Sequence, residues 1–208
     1  MLHSTVSYFR CLQNIKLKKT AILILAAGEA SRMGRIKQNL PYLQTTLLGH
    51  AITQAKQAKA QHVYCVLGAQ KEAIKTEIKQ EVSFIINETW EEGLGSSIAC
   101  GIKALRLKKY DHILIMLGDQ PLMTASYLNQ LINRAIQHPD TCVASGYKNK
   151  KGVPAIFPES YFDALEALSG DQGAKVLLNS NLSVIALNAE DLLQDIDTPE
   201  DYEHLLKK

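Results

Sequence analysis

Two hydrophobic patterns alternate along the chain from residue 20 onward. Short runs are apolar at nearly every position, which is typical of strands that are buried on both faces. Longer stretches carry apolar residues every three or four positions, which is typical of amphipathic helices. The predicted strands cover residues 21–26, 62–67, 82–87, 112–117, 141–146, 153–157 and 183–187. The predicted helices cover residues 47–59, 70–80, 95–107, 124–137, 159–168, 171–179 and 198–207.

This alternation predicts a layered α/β fold with a mostly parallel sheet. The polar segment 147–152 is prone to turns and predicts an exposed hairpin tip. In open sheets of this kind, ligands bind beyond the carboxyl ends of the strands. The first and fourth predicted strands end in Ala27-Gly28 and Gly118-Asp119, so we expect these two loops to meet at one cleft.

Composition and charge narrow the class of protein. The chain has 208 residues, 46% of them apolar and 21% charged, as in an ordinary globular protein of one domain. The net charge of +2 is too balanced to indicate a nucleic-acid or membrane partner, and we expect neither. No apolar run approaches the roughly 20 residues that a membrane-spanning helix needs.

Residues 1–19 differ from the rest of the chain. They are basic, contain no acidic residue, and have no long apolar core of the kind found in secretory signals. Their character is faintly similar to that of a transit peptide. We expect instead a disordered basic extension that precedes a domain of residues 20–208.

The cysteines indicate the cellular compartment in which the protein is expected. Cys11, Cys65, Cys100 and Cys142 form no C-x-x-C pair, and three of them lie in apolar stretches. Such cysteines indicate buried, reduced thiols and a cytoplasmic protein. The same spacing does not favour a zinc site.

The loop after the first predicted strand is rich in small and basic residues. Leu25-Ala26-Ala27-Gly28 is followed by Arg32, Gly34 and Lys37. Such a loop offers backbone N–H groups and two cations around one point, as the phosphates of a nucleoside triphosphate require. Other phosphate-binding loops do not match. A dinucleotide fold needs G-x-G-x-x-G, and a P-loop needs Ser or Thr where Gln38 follows Lys37.

Two acidic positions suggest a cation site. Asp119 comes directly after the fourth predicted strand, in the segment Leu-Gly-Asp-Gln-Pro at 117–121. Mg²⁺ prefers one or two carboxylates together with phosphate oxygens and water. Asp197 precedes a helix cap of the T-x-x-D type that Thr198 and Asp201 form, and its carboxylate could reach the same metal.

A third segment, residues 87–98, contains Gly95-Ser96-Ser97. These residues can open a helix whose N-terminal amides face an anion or the edge of a base, and simple helix capping is the alternative. Trp90 in the same segment is predicted to be a packing anchor and not a stacking platform for a base.

These segments resemble the motifs of the MobA-like nucleotidyltransferases, and most closely those of the molybdenum cofactor cytidylyltransferase branch. Residues 25–37 match L-A-A-G-x-x-x-R-M-G-x-x-K, residues 117–121 match L-G-D-x-P, and residues 195–201 match D-I-D-T-P-E-D. The resemblance extends over residues 20–205. It implies a three-layer α/β/α Rossmann-like nucleotidyltransferase fold with a mixed, mostly parallel sheet.

The resemblance also implies a role for each matching residue. Arg32 and Lys37 would supply the positive charge for catalysis, while Asp119 and Asp197 would bind Mg²⁺. For Asp195 we expect a structural role. The nucleotide-binding residues would be Leu25, Ala26, Ala27, Gly28, Gly34, Gly93 and Ser97.

The chain departs from the family's pattern at several positions. Val153 stands where the family has His, Lys175 where it has Arg, and Asn39 where K-x-L-L-P has Leu. Since the first two regions are expected to face the acceptor, its identity stays open. The guanylyltransferase branch usually has L-A-G-G. The methyl group of Ala27 would crowd a purine there, which favours CTP.

The implied reaction is the transfer of CMP from CTP to the phosphate of molybdopterin, with release of pyrophosphate, for use by a molybdoenzyme apoprotein. A guanylyltransferase, or a cytidylyltransferase acting on a small sugar or polyol phosphate, is the alternative among transferases. Intact Arg32, Lys37 and Asp119 argue against a cofactor-binding chaperone without turnover. The missing glycine pattern argues against a dinucleotide-binding oxidoreductase.

Overall fold

The computed structural model describes residues 18–148, 150–180 and 183–207. Most of the predicted basic extension, together with Cys11, lies outside the described residues. The strands are β1 (Thr20–Leu25), β2 (Pro41–Tyr42), β3 (Thr45–Thr46), β4 (His62–Leu67), β5 (Ser83–Ile86), β6 (His112–Leu117), β7 (Cys142–Tyr147), β8 (Lys150–Pro158) and β9 (Val184–Asn188). The α-helices are α1 (Leu47–Gln57), α2 (Lys71–Glu77), α3 (Leu94–Arg106), α4 (Ala125–Gln137), α5 (Phe162–Glu166), α6 (Lys175–Leu178) and α7 (Pro199–Leu206).

Seven strands form one sheet in the order β5-β4-β1-β6-β8-β7-β9. β1 lies in its centre and pairs in parallel with β4 on one side and β6 on the other. β8 pairs antiparallel with both β6 and β7, and every other pairing in this sheet is parallel. The mostly parallel sheet predicted from the hydrophobic runs is confirmed, and so is the mixed sheet that the resemblance implies.

The side chains of β1 show why the sheet has helices on both faces. All six residues of the strand are buried, and successive side chains point to opposite faces. Ile22 and Ile24 belong to an apolar cluster with α1 and α4, whereas Ala21 and Leu23 belong to a cluster with α3 and α5. These two clusters are the two halves of the core, and they confirm the three-layer α/β/α architecture.

A third, smaller apolar cluster ties the loop after β1 to the C-terminal helix. Its buried members are Met33, Leu40, Leu47, Ile196, Tyr202 and Leu205. The Tyr202 hydroxyl donates to the Pro41 carbonyl oxygen at 2.5 Å. Thr198 and Asp201 form the capping box that begins α7, as their spacing predicts, with Pro199 in the first turn.

Some predicted boundaries are wrong. The predicted tip at 147–152 is shorter, because β7 continues to Tyr147 and β8 begins at Lys150. The helix predicted at 171–179 is reduced to Lys175–Leu178. Residues 171–174 form turns and irregular backbone instead. Just before them, the backbone at 169–170 packs against Gly93 and Gly95, where any Cβ would overlap it. The β2–β3 ribbon has two residues a strand and no periodicity from which to predict it.

The described part of the chain contains no helix that is both long and apolar enough to span a membrane.

The third cluster should contribute measurably to stability. Ile196 is fully buried in it, so Ile196→Ala should lower the free energy of unfolding by about 3 kcal/mol through lost burial and a residual cavity. Urea denaturation measures this change. Leu43→Ala is the control, since Leu43 is 74% exposed at the ribbon tip and its truncation should change stability by less than about 0.5 kcal/mol. Equal midpoints for the two variants would contradict a stabilising role for the cluster.

Candidate active site

A cleft of about 430 Å³ opens at the carboxyl ends of β1 and β6. In the sheet, β4 lies on one side of β1 and β6 lies on the other, so the strand order reverses at β1. Such a switch in strand order leaves a crevice between the two loops. The Gly118 N–H donates to the Leu25 carbonyl oxygen at 3.0 Å and joins the two loops. The predicted meeting of these loops is therefore confirmed. The predicted site residues that line the cleft are Leu25, Ala26, Ala27, Gly28, Lys37, Gly93, Ser97, Asp119 and Asp197.

The Lys37 ammonium lies between two carboxylates. It donates to Asp119 Oδ2 at 2.5 Å and to Asp197 Oδ1 at 2.9 Å. The Lys37 side chain is 14% exposed and that of Asp119 is 18% exposed, so this pair is largely removed from water. Three segments that are far apart in the chain therefore meet at one nitrogen atom.

Arg32 reaches the same cluster from outside the cleft. Its Nη2 donates to Asp197 Oδ2 at 2.9 Å, while the side chain stays 71% exposed. It belongs to a short 3₁₀ turn, Ser31–Met33, in which Met33 points into the third apolar cluster. Gly34 ends that turn with a φ of 66°, a conformation that favours glycine. Neither Arg32 nor Gly34 lines the cleft, and contact of Gly34 with a nucleotide stays a prediction.

The backbone also holds the acidic segments together. The Ile196 N–H donates to the Asp119 carbonyl oxygen at 3.1 Å, which fixes the segment before α7 against the loop after β6. Because Ile196 is anchored in the third apolar cluster, the neighbouring Asp197 carboxylate is presented to Lys37.

Burial and charge set the protonation of the cluster. Burial raises the pKa of Asp119, and the attraction of Lys37 offsets this only in part. Burial acts in the same direction on Asp197, but Lys37 and Arg32 outweigh it and lower the pKa of that carboxyl. For Lys37, burial acts to lower the pKa, and the two carboxylates more than compensate and raise it. The lysine is therefore held as a cation.

The donor set fits a divalent cation such as Mg²⁺. Asp119 Oδ1 is buried and has no hydrogen-bond partner among the described residues, so it offers a free carboxylate oxygen beside Asp197. Within the described ranges, no group of three or more His, Cys, Asp or Glu side chains is placed to hold a metal. Two carboxylates suffice for Mg²⁺ when phosphate oxygens and water complete its shell.

The loop before α3 forms the opposite wall. The Asn87 amide donates to Ser96 Oγ at 2.9 Å and to Ser97 Oγ at 3.1 Å, so both hydroxyls are held in place. Gly93 has a φ of 99°, and a Cβ there would lie 2.5 Å from the backbone of Gly170. This wall requires glycine at position 93 because the chain at 170 approaches so closely.

Trp90 lies at the edge of the cleft. It is half-buried against the core cluster on the α3 face, and a Cβ at Gly68 would overlap its side chain. This packing agrees with the predicted anchor, and the side chain also lines the cleft.

A second cleft of about 320 Å³ adjoins the first and shares Leu25, Leu94, Leu117, Asp171 and Asp195 with it. Val153 and Lys175, the positions that depart from the family pattern, line this second cleft together with Lys151. Asp195 Oδ1 accepts from the Gln120 side-chain amide at 2.8 Å, and the residue lines both clefts, so its structural role stays a prediction.

Several residues that line the first cleft were not predicted as site residues, among them Gln38, Glu91, Leu94 and Asp171. Gln38 is only 5% exposed, and its side-chain amide donates to the carbonyl oxygens of Ala26 and Gly28 at 3.2 and 3.0 Å. A glutamine that follows a lysine carries no signal of this kind, because the contact depends on how the turn Lys37–Asn39 folds back on the loop after β1.

Comparison with known proteins agrees with this geometry. A model of the MobA-like NTP transferase domain matches residues 22–185, and the chain belongs to this family of nucleotidyltransferases.

Individual relatives are distant in sequence, and the matches cover most of each chain. The chain is 28% identical over 193 residues to the purine catabolism protein PucB of Bacillus subtilis, a match that covers 87% of this chain and 93% of PucB. It is 30% identical over 198 residues to the nicotine blue oxidoreductase of Paenarthrobacter nicotinovorans, covering 88% and 95%.

The fold is also similar to a solved structure, that of Rv0371c from Mycobacterium tuberculosis. The TM-score is 0.82 and the identity 28%, over 92% of this chain and 98% of Rv0371c. Rv0371c has also been solved in complex with manganese, and that structure gives a TM-score of 0.75.

The stability of the fold should depend on the Lys37 ammonium, which lies between Asp119 and Asp197. Lys37→Met leaves two carboxylates close together and largely out of water, so it should lower the free energy of unfolding by about 3 kcal/mol. Adding Asp119→Asn removes one negative charge and should recover at least half of that loss. Urea denaturation at pH 7 measures both values.

Lys71→Met is the matched control for this prediction. Lys71 bonds Glu88 at 2.6 Å on the surface, and such exposed pairs contribute less than about 1 kcal/mol. If Lys37→Met costs no more than Lys71→Met, the buried cluster does not stabilise the fold.

Proposed function

We propose that the protein is a magnesium-dependent nucleotidyltransferase that transfers CMP from CTP to the phosphate of molybdopterin and releases pyrophosphate. The observation that carries the proposal is the Lys37 ammonium bound to Asp119 and Asp197 at the end of the central strands. Membership of the MobA-like family and the manganese complex of Rv0371c support it.

The reaction joins two phosphates. An oxygen of the acceptor phosphate forms a bond to the α-phosphorus of CTP, and the bond from that phosphorus to the bridging oxygen breaks, so that pyrophosphate leaves with the electron pair. A phosphate monoester has a second pKa near about 6 and is already largely a dianion at pH 7. No general base is therefore required, and the protein's task is to screen the repulsion between anions.

The basic residues carry out that screening. Lys37 and Arg32 offer an ammonium and a guanidinium to the phosphates, and Arg32 can form a bidentate contact. Asp119 and Asp197 would hold Mg²⁺, which supplies further positive charge to the phosphate oxygens when bound. The remaining contacts would come from the small residues at 25–28 and from the wall at Gly93 and Ser97.

The second cleft is the proposed acceptor site. Lys151 and Lys175 line it, opposed by the carboxylates of Asp171 and Asp195 on the wall that it shares with the first cleft. The two lysines would bind the phosphate of an anionic acceptor. Because the second cleft shares a wall with the first cleft, an acceptor bound there can place a phosphate beside the α-phosphorus of CTP. We propose molybdopterin as the acceptor on the strength of the sequence motifs, and delivery of its product to a molybdoenzyme apoprotein in the cytoplasm.

Pyrophosphate release tests the proposed function. The purified protein is incubated with Mg²⁺, molybdenum-loaded molybdopterin and, in turn, CTP, GTP or ATP. Release with CTP alone supports the proposal. Release with GTP alone would make the protein a guanylyltransferase, and release with CTP only after molybdopterin is replaced by a sugar or polyol phosphate would change the acceptor. Binding of CTP without any turnover would favour a carrier of the cofactor.

An oxidoreductase is the second candidate, because one relative carries the name nicotine blue oxidoreductase. The glycine spacing after β1 does not match a dinucleotide-binding loop. Oxidation of NADH or NADPH in the presence of a dye acceptor, with no pyrophosphate release, would favour this candidate.

Loss of the Asp119 carboxylate should abolish most of the activity. Asp119→Asn keeps the size of the side chain but removes its negative charge, and we expect pyrophosphate release to fall by about 10²–10³-fold. Asp163→Asn is the control, since Asp163 pairs with Arg106 and does not line the cleft. A rate for Asp119→Asn within threefold of the control would remove Asp119 from the proposed site.

The base preference should depend on Ala27. This residue lines the cleft at the end of β1, and Ala27→Gly would make room for a purine. We expect the ratio of kcat/KM for GTP to that for CTP to rise by about tenfold, the usual effect of one methyl group in a pocket. An unchanged ratio would show that another part of the cleft selects the base.

A further inference from the structure

Gln38 has no part in the proposed reaction, yet its side chain is buried against the loop that the nucleotide would contact. Its Nε2 donates to the Ala26 carbonyl oxygen at 3.2 Å and to the Gly28 carbonyl oxygen at 3.0 Å. Both acceptors belong to cleft-lining residues. One amide nitrogen therefore holds two peptide groups of the loop, the one between Ala26 and Ala27 and the one between Gly28 and Glu29.

The loop's other carbonyl oxygens also have partners. Leu25 accepts from the Gly118 N–H and Ala27 accepts from the Ala69 N–H, each at 3.0 Å. With the two bonds from Gln38, every carbonyl oxygen from residue 25 to residue 28 is occupied. This matters for an anionic ligand, because a carbonyl oxygen is the negative end of the peptide dipole and repels phosphate.

Holding a carbonyl oxygen also sets the direction of an N–H group. The C=O of one residue and the N–H of the next lie in one peptide plane and point in opposite directions. The bonds from Gln38 therefore orient the N–H groups of Ala27 and Glu29 as well. In the described part of the chain neither N–H group has a backbone acceptor. Ala27 lines the first cleft, where its N–H can meet a ligand, whereas Glu29 lines a separate pocket with Gly68 and Lys71.

Gln38 is also next to Lys37 in one turn of 3₁₀ helix, Lys37–Asn39. Successive side chains in such a turn point in different directions, which lets Lys37 face the two carboxylates while Gln38 faces the loop. The turn thus fixes the lysine and the loop backbone relative to each other.

We infer that Gln38 is a positioning residue for triphosphate binding: it occupies the carbonyl oxygens of Ala26 and Gly28, so that neither faces the phosphates, and it keeps the Ala27 N–H directed toward an anion in the first cleft. The inference rests on the proposed nucleotidyltransferase function. It extends that function by assigning phosphate affinity to a side chain that acts through the loop backbone.

Inorganic pyrophosphate with Mg²⁺ is the probe, and calorimetry measures its affinity for the full chain. Gln38→Met keeps the length and volume of the side chain but has no N–H donor. We expect its dissociation constant for pyrophosphate to rise about tenfold, the effect of losing one good polar contact. With CTP as substrate, KM should rise by a similar factor while kcat changes by less than threefold.

Gln61→Met is the matched control. Gln61 lies near the opposite end of β1, where its Oε1 accepts from the Thr20 N–H at 2.5 Å, and it does not line the cleft. Its loss should lower the thermal midpoint and leave the affinity for pyrophosphate unchanged. Gln38→Asn, which keeps an amide that is too short to reach both carbonyl oxygens, should fall between wild type and Gln38→Met and serves if the methionine variant does not fold.

The binding results distinguish failure of the inference about Gln38 from failure of the proposed function. If the wild-type protein binds pyrophosphate and both Gln38 variants bind it within twofold of wild type, Gln38 has no positioning role. An equal loss of affinity in Gln61→Met would also overturn the inference, since the effect would then follow stability alone. If the wild-type protein binds neither pyrophosphate nor CTP with Mg²⁺, the proposed function falls and the role of Gln38 falls with it.

Discussion

The ammonium of Lys37, bonded to Asp119 and Asp197, is the contact on which the rest of the site depends. Removing three charged groups from water is costly unless each is paired, and here one cation satisfies two carboxylates at 2.5 and 2.9 Å. This contact requires the turn after β1, the end of β6 and the segment before α7 to arrive at one point. The third apolar cluster brings the last of these segments into place, so packing and charge support each other.

The fold could be predicted from the sequence where strands are buried on both faces, because such strands must be apolar at nearly every position. β4 and β6 begin and end where their apolar runs do, because helices cover both sides of them. Prediction failed where contact with a segment far away in the sequence determines the local backbone conformation. Residues 171–174 have a helical pattern, yet the close approach of Gly170 to Gly93 delays α6 until Lys175. No local pattern reveals such a contact.

The site residues that could be predicted from the sequence are those that directly follow a buried strand. Asp119 and the loop at 25–28 follow buried strands directly, and the topology of a parallel sheet brings them together. Asp197 lies before a helix cap and could be placed only by its motif. Gln38 was missed because its partners are backbone atoms of a loop ten to twelve positions earlier, and such contacts leave no trace in residue type.

The wall that the two clefts have in common has a consequence for the end of the reaction. If each substrate occupies one cleft, a product that joins them spans both, and it retains contacts that neither substrate has alone. Two linked binding events of this kind strengthen each other without any new contact. Departure of the product would then be slower than departure of either substrate. Such retention would keep the product on the protein until another molecule draws it away.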